Sequence, residues 1–245
     1  MNGKKIERIA RFSLVAIIIA LFAWAFKAGS FEFIINNPGD LLYLSGQHLR
    51  LVAISCFFAV LVAVPLGIFV TRPKYKKYDW IVINFANVGQ TVPTLALLAL
   101  IMSFFGLGWQ TAVFALWFNS LLPILRNTVA GIDNINRSII DAGEGMGMTK
   151  IQILLKLEIP NALPVMLAGI RTSIVINVGS AALAFLIGGG GLGDLIFTGI
   201  AIADTGIMLS GAIPIIVLAI SIDFILGKLE KLVVSKGIQR KLEII

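Results

Sequence analysis

Six apolar runs near bilayer length leave this chain little choice of architecture. They are Phe12 to Phe26, Leu51 to Val70, Trp80 to Phe105, Trp109 to Leu125, Leu167 to Ile187 and Ile207 to Leu226. Within lipid every backbone N–H and C=O must be satisfied internally, and a run of about 20 residues at about 1.5 Å rise does this as a helix. The expectation is an all-α integral membrane protein with six transmembrane helices. Composition agrees: 58% of residues are hydrophobic and 13% charged, whereas soluble domains carry about 25% charged residues.

Lys4, Lys5, Arg8 and Arg11 precede the first run, which has the basic front of a signal peptide. No small-x-small cleavage site follows it, and Trp24 and Phe26 read as interfacial anchors, so the run is expected to stay as an uncleaved span. Lys27 to Arg50 reads as a mostly external segment, with a turn at Asn36–Asp40 and a short interfacial helix.

Lysines and arginines sort sharply between alternate loops. With the amino terminus inside, the inner pieces hold Lys4, Lys5, Arg8, Arg11, Arg72, Lys74, Lys76, Lys77, Arg126, Arg137, Lys150, Lys156, Lys228, Lys231, Lys236, Arg240 and Lys241. The outer pieces hold Lys27 and Arg50, and Arg171, near the inner end of the fifth span, is left over. This split predicts both termini cytoplasmic and explains the net charge of +7 without nucleic acid. The single cysteine, Cys56, excludes an intramolecular disulfide and reads as a small buried hydrophobe.

Polar residues inside spans need partners. Asn84, Asn87, Gly89, Gln90, Thr91 and Pro93 in the third span invite a kink and read either as helix–helix glue or as a polar pathway. The same two readings hold for Asn119 with Pro123 and for Asn177 with Ser180; Asn87, Gln90, Pro93, Asn119, Asn177 and Ser180 are the candidate path residues. Asp223 is the one acid within a span, placed where Lys228 or water can satisfy it. Gly188–Asp194 lacks the lysine of a phosphate loop and reads as a tight external hairpin. His48 is the sole histidine; with no Ser-His-Asp set, HExxH or CxxC, neither catalysis nor a metal site is expected.

One polar stretch interrupts this apolar chain, Asp141–Pro160, DAGEGMGMTKIQILLKLEIP. It reads as two short helices joined by an elbow: Ser138 caps the first, Gly145 and Gly147 interrupt it, and Thr149 with Gln152 forms a capping box that starts the second. Pro160 and Pro164 are expected to stop that helix. Its apolar side, Ile151, Leu154, Leu155 and Leu157, is set against Lys150, Gln152, Lys156 and Glu158, so it calls for a partner.

Asp141-Ala142-Gly143, three residues, Gly147, nine residues, then Leu157-Glu158-Ile159-Pro160 resembles the EAA loop, EAA-x3-G-x9-I-x-L-P, of permease subunits of ABC importers. The departures are Asp for Glu, Gly for the second Ala, Leu for Ile and Ile for Leu. The resemblance implies the MetI-like permease fold and docking on a separate ATPase through Asp141, Ala142, Gly143, Gly147, Ile151, Leu154, Leu157 and Pro160. ATP and Mg would then bind the partner, and no cofactor this chain. Further runs, among them Val64-Pro65-Leu66-Gly67, Gly89-Gln90-Thr91-Val92-Pro93 and Leu167-Ala168-Gly169-Ile170-Arg171-Thr172, resemble the osmoprotectant branch, permeases for glycine betaine, choline and carnitine.

That resemblance implies residence in the bacterial cytoplasmic membrane, a second permease chain, identical or related, and a separate extracytoplasmic binding protein. The domains expected are 1–50, a first span and external connector; 51–227, a permease core with a coupling loop at about 126–164; and 228–245, a basic tail. An amino-acid importer shares the coupling loop and remains the alternative within the class. An ion-coupled secondary transporter predicts midplane acids and an inverted repeat, and neither is visible.

Overall fold

The computed structural model describes residues 30–234 and a few earlier positions; most of the expected first span, Phe12 to Phe26, lies outside the described residues. Every regular element among the described residues is helical. Four are long and apolar enough to cross a membrane, and a bent pair makes a fifth.

A short helix, α1 (Ser30–Asn36), packs against the last span and leads into α2 (Pro38–Val70), which runs 33 residues without a break. The helix of the second span therefore begins at Pro38, within the segment expected to be a connector. Proline at the first helical turn is pre-set for helix, and Leu44, His48, Leu51, Val52, Ser55 and Cys56 continue one buried stripe across the expected boundary.

The third span is two helices, α3 (Asp79–Thr91) and α4 (Thr94–Phe105), bent by 103° at Val92-Pro93. The expected kink is thus a sharp corner, since Pro93 removes a donor and holds Val92 extended at ψ 128°. The fourth span, α5 (Trp109–Asp133), extends eight residues past its expected end and carries Arg126 within the helix. It is the axis of the fold: 61% of its most apolar window is buried, against 17% for the last span, which turns most of its surface outward.

The segment expected to couple to a partner follows as α6 (Arg137–Gly145) and α7 (Lys150–Ile153). The chain then passes through a π-helical turn, Leu154–Glu158, into α8 (Ile159–Ser180), and a 3₁₀ stretch, Ala181–Ile187, completes the span. Pro160 and Pro164 do not stop this helix. Pro160 falls in its first turn, where the missing N–H costs nothing, and the wider π turn displaces the carbonyl its ring would strike. A last short helix, α9 (Gly193–Ala201), precedes the final span, α10 (Thr205–Val233).

The spans meet through small residues. A Cβ on Gly169 of α8 would lie 2.5 Å from Asn127 Cβ and 2.7 Å from the Pro123 carbonyl of α5. One on Gly67 of α2 would lie 2.7 Å from the Thr128 side chain. Without a hydrophobic drive between helices in lipid, such close backbone contact is what holds a bundle together.

Candidate coupling site and the polar contacts between spans

The elbow is built from local sequence. Asn136, not Ser138, caps α6: its side chain accepts from the Ser138 N–H at 3.0 Å, and the Ser138 hydroxyl is spent on the same Asn136 oxygen at 2.8 Å. At the other end Gly147 takes φ +74°, the Met148 N–H reaches back to the Gly143 carbonyl at 3.1 Å and the Gly147 N–H to Glu144 at 2.9 Å. This is a Schellman closure with glycine in the left-handed position. Thr149 and Gln152 then exchange the two bonds of a capping box, 2.8 and 3.3 Å.

The apolar residues of the second helix divide between two jobs. Ile153 is buried and Leu157 half-buried against α6, where Gly143 leaves no room for a side chain: a Cβ there would be 2.6 Å from Leu157 Cδ1. Ile151 and Leu155, one turn apart, are 68% and 58% exposed, and Met146 at the elbow is 71% exposed. The exposed face is therefore Met146, Ile151 and Leu155, with Leu154 half-buried, rather than all four expected residues; one flank of the helix must pack on α6 before the other can be presented. Asp141, Ala142 and Gly147 are exposed, Gly143 is buried and Pro160 half-buried.

Of the polar residues inside spans, Asn177 is fully buried where three spans meet. Its amide nitrogen lies 2.5 Å from Ser120 Oγ and 3.1 Å from the Leu116 carbonyl of α5, and 3.2 Å from Ser55 Oγ of α2. Ser173, one turn earlier, donates to the Ser120 carbonyl at 3.2 Å. Asn119 is buried too, whereas Asn87, Gln90 and Ser180 are half-buried and Pro93 is exposed. Among the described residues no hydrogen bond joins Asn87 or Gln90 to the Asn177 junction.

Arg171 and Asp223, the two charges left over inside spans, are each other's partner. Arg171 Nε and Nη2 donate to the two Asp223 oxygens at 2.5 and 2.6 Å, and Nη1 stands 3.8 Å from Glu230. Gly227 leaves the space the guanidinium occupies. The expected Lys228 instead lies over the Phe224 ring, 4.3 Å from its centroid. The pair ties α8 to α10 and edges a cleft of about 380 Å³ with Ala168, Thr172, Val175 and Ile176. Bidentate arginine–carboxylate geometry is the strong form of this contact, and charges at such a depth must meet water or protein rather than lipid.

At the opposite end the glycine run is a hairpin, as expected. Gly188, Gly190 and Gly191 all have positive φ, and the Gly191 N–H donates to Gln47 Oε1 at 3.0 Å. His48 is fully buried beneath it and bonds through Nε2 to the Val178 carbonyl at 2.8 Å, which makes it a brace between α2 and α8.

Residues 63–235 match the family described as binding-protein-dependent transport system inner membrane component. The chain belongs to that family. The permease is 44% identical over 212 residues to the glycine betaine/carnitine/choline transport system permease protein OpuCB of Bacillus subtilis, covering 86% of this chain and 97% of the relative. It is 44% identical over 228 residues to the osmoprotectant import permease protein OsmY of Salmonella typhimurium, covering 93% and 95%. Its fold is that of the MetNI methionine ABC transporter in inward-facing conformations, with a TM-score of 0.72 over 80% of this chain and 96% of that one at 24% identity. The permease is thus a multi-pass protein of the bacterial inner membrane.

Proposed function

We propose that this permease is the membrane subunit of an ATP-driven importer of osmoprotectants such as glycine betaine, choline or carnitine, delivered by a separate extracytoplasmic binding protein. The observation that carries the reading is the elbow at 137–158. It is capped at each helix end by its own residues, yet it leaves Met146, Ile151 and Leu155 bare at the basic end of the bundle. Three bare apolar side chains on so short and locally fixed an elbow suit an apolar groove in a partner. The names of the relatives, which are osmoprotectant permeases at 43–44% identity, support the solute class.

In this reading the partner is an ATPase subunit that binds ATP and Mg, and hydrolysis takes place there. Closure of two ATPases draws two elbows together, one from each of two permease chains. α7 is continuous with α8 through the π turn, so the elbow's displacement reaches the fifth span directly. It tilts that span against the α5 axis and alternates access to a path between the chains. Asn87, Gln90 and Ser180, which are half-buried, and Pro93, which is exposed, suit such a path better than Asn119 and Asn177, which this chain buries within itself.

The test is uptake by proteoliposomes holding the permease, its ATPase and its binding protein. ATP-dependent uptake of a quaternary ammonium solute is the expected result. Uptake of amino acids alone would transfer the permease to an amino-acid importer, and uptake without ATP on an ion gradient would overturn the reading.

A further inference from the structure

The loop between α2 and α3, residues 71–78, carries Arg72, Lys74, Lys76 and Lys77. Orientation in the membrane accounts for the number of these charges but not for where they point. Two of them reach across the protein to the two ends of the coupling segment. Arg72 Nη2 lies 2.6 Å from Glu158 Oε2, at the last residue of the π turn, where α8 begins. Lys76 pairs with Asp133, the last residue of α5, where the coupling segment begins, and stands 4.0 Å from Asp79, the first residue of α3.

The loop is tied to itself and to the end of α2. Arg72 is held by bonds from Nε to the Ile68 carbonyl at 3.2 Å and from Nη2 to Thr71 Oγ1 at 3.0 Å. Phe69 stacks on Tyr75 with ring centroids 3.9 Å apart, and successive turns close at Arg72, Tyr75 and Tyr78. Glu158 is shielded, with its side chain 13% exposed, so its charge is screened less than that of a surface pair.

We infer that residues 71–78 form a strap that clasps both ends of the ATPase-docking segment and passes its movement to the third span, with Arg72 and Glu158 as positioning residues of coupling. The inference rests on the importer reading above. Through the strap, a pull on the elbow acts on four helix ends together: the end of α2, the start of α3, the end of α5 and the start of α8. The bent third span, which is not next to the elbow in sequence, is thereby driven with the fourth and fifth. Glu158 occupies the free position of the loop motif, between Leu157 and Ile159-Pro160, so this contact adds to the docking face without being part of it.

Charge exchange tests the strap in the reconstituted importer, with ATP hydrolysis measured with and without binding protein loaded with the solute the wild type transports. Arg72→Glu and Glu158→Arg should each co-purify with the ATPase, while the rise in hydrolysis on adding loaded binding protein, and the solute moved per ATP, fall about fivefold. The double exchange R72E/E158R should regain most of both. Wild-type behaviour in the single variants, or loss in them without recovery in the double exchange, overturns the strap. If the single variants fail to assemble, Arg72→Gln and Glu158→Gln remove the attraction without adding repulsion; unchanged stimulation in those would overturn it equally. A wild-type permease that neither retains an ATPase nor transports would sink the importer reading instead, so the two failures are distinct.

Discussion

The two ends of the bundle solve opposite problems. At the glycine end the chain closes on itself: Leu192 and His48 are fully buried, the Gly108 N–H bonds the Ile187 carbonyl at 2.8 Å, and a Cβ on Gly193 would stand 1.9 Å from the Ala182 carbonyl. At the elbow end the shape is set by caps within a dozen residues, and the surface is left apolar and bare. At the glycine end a substitution meets packed backbone, whereas at the elbow the local caps leave Ile151 and Leu155 free to change without disturbing a buried neighbour. The difference shows which residues a substitution can reach without unfolding the rest.

The largest effect that would break this contrast is at Gly193. Gly193→Ala sets a methyl against backbone that cannot give way, and it should cost more than about 3 kcal/mol and abolish accumulation of folded permease, read by fluorescence-detected size exclusion in detergent. Next is the bare face. Ile151→Glu with Leu155→Glu should leave the melting temperature unchanged yet weaken retention of the ATPase by about 100-fold in pull-down titration. Equal loss of thermal stability would show that the face is packed within the chain after all.

His48→Ala removes the brace on Val178 and should cost about 2 kcal/mol by thermal unfolding, with ATPase retention intact. The smallest effect is at Gly147, where nothing crowds a new side chain but φ is +74°. Gly147→Ala should cost about 1 kcal/mol, and Gly147→Asn less, because Asn tolerates the left-handed region.

The sequence made local devices legible and left tertiary ones half-read. Thr149 and Gln152 announce their capping box because the motif is complete within four residues, and the spans announce themselves by hydropathy. The helix through Pro160 was hidden because proline acts on a carbonyl whose position a π turn can change, and no residue type marks that turn. The start of α2 at Pro38 was obscured by a turn signal, Asn36–Asp40, that in fact holds a helix entry. Arg171 and Asp223 each stood out as unplaced charges near the inner ends of adjacent spans; pairing the two leftovers by depth was the available signal. The Asn177 junction could be named as glue or pathway, but choosing required knowing that Ser55, Leu116 and Ser120 converge on it from 57 to 122 residues away.

The π turn at Leu154–Glu158 also has a meaning in angular terms. One residue of α-helix is worth about 100° of rotation, and the wider π turn takes up its extra residue locally, so the bare face of α7 and the contacts of α8 keep the phase of one unbroken helix. Removing one residue there would regularise the helix and leave Arg171 facing Asp223 and Asn177 in its junction, but it would set the Pro160 ring against an ordinary helical carbonyl. The length of this interval is therefore tied to Pro160, and a single-residue deletion within the π turn should be better tolerated together with Pro160→Ala than alone.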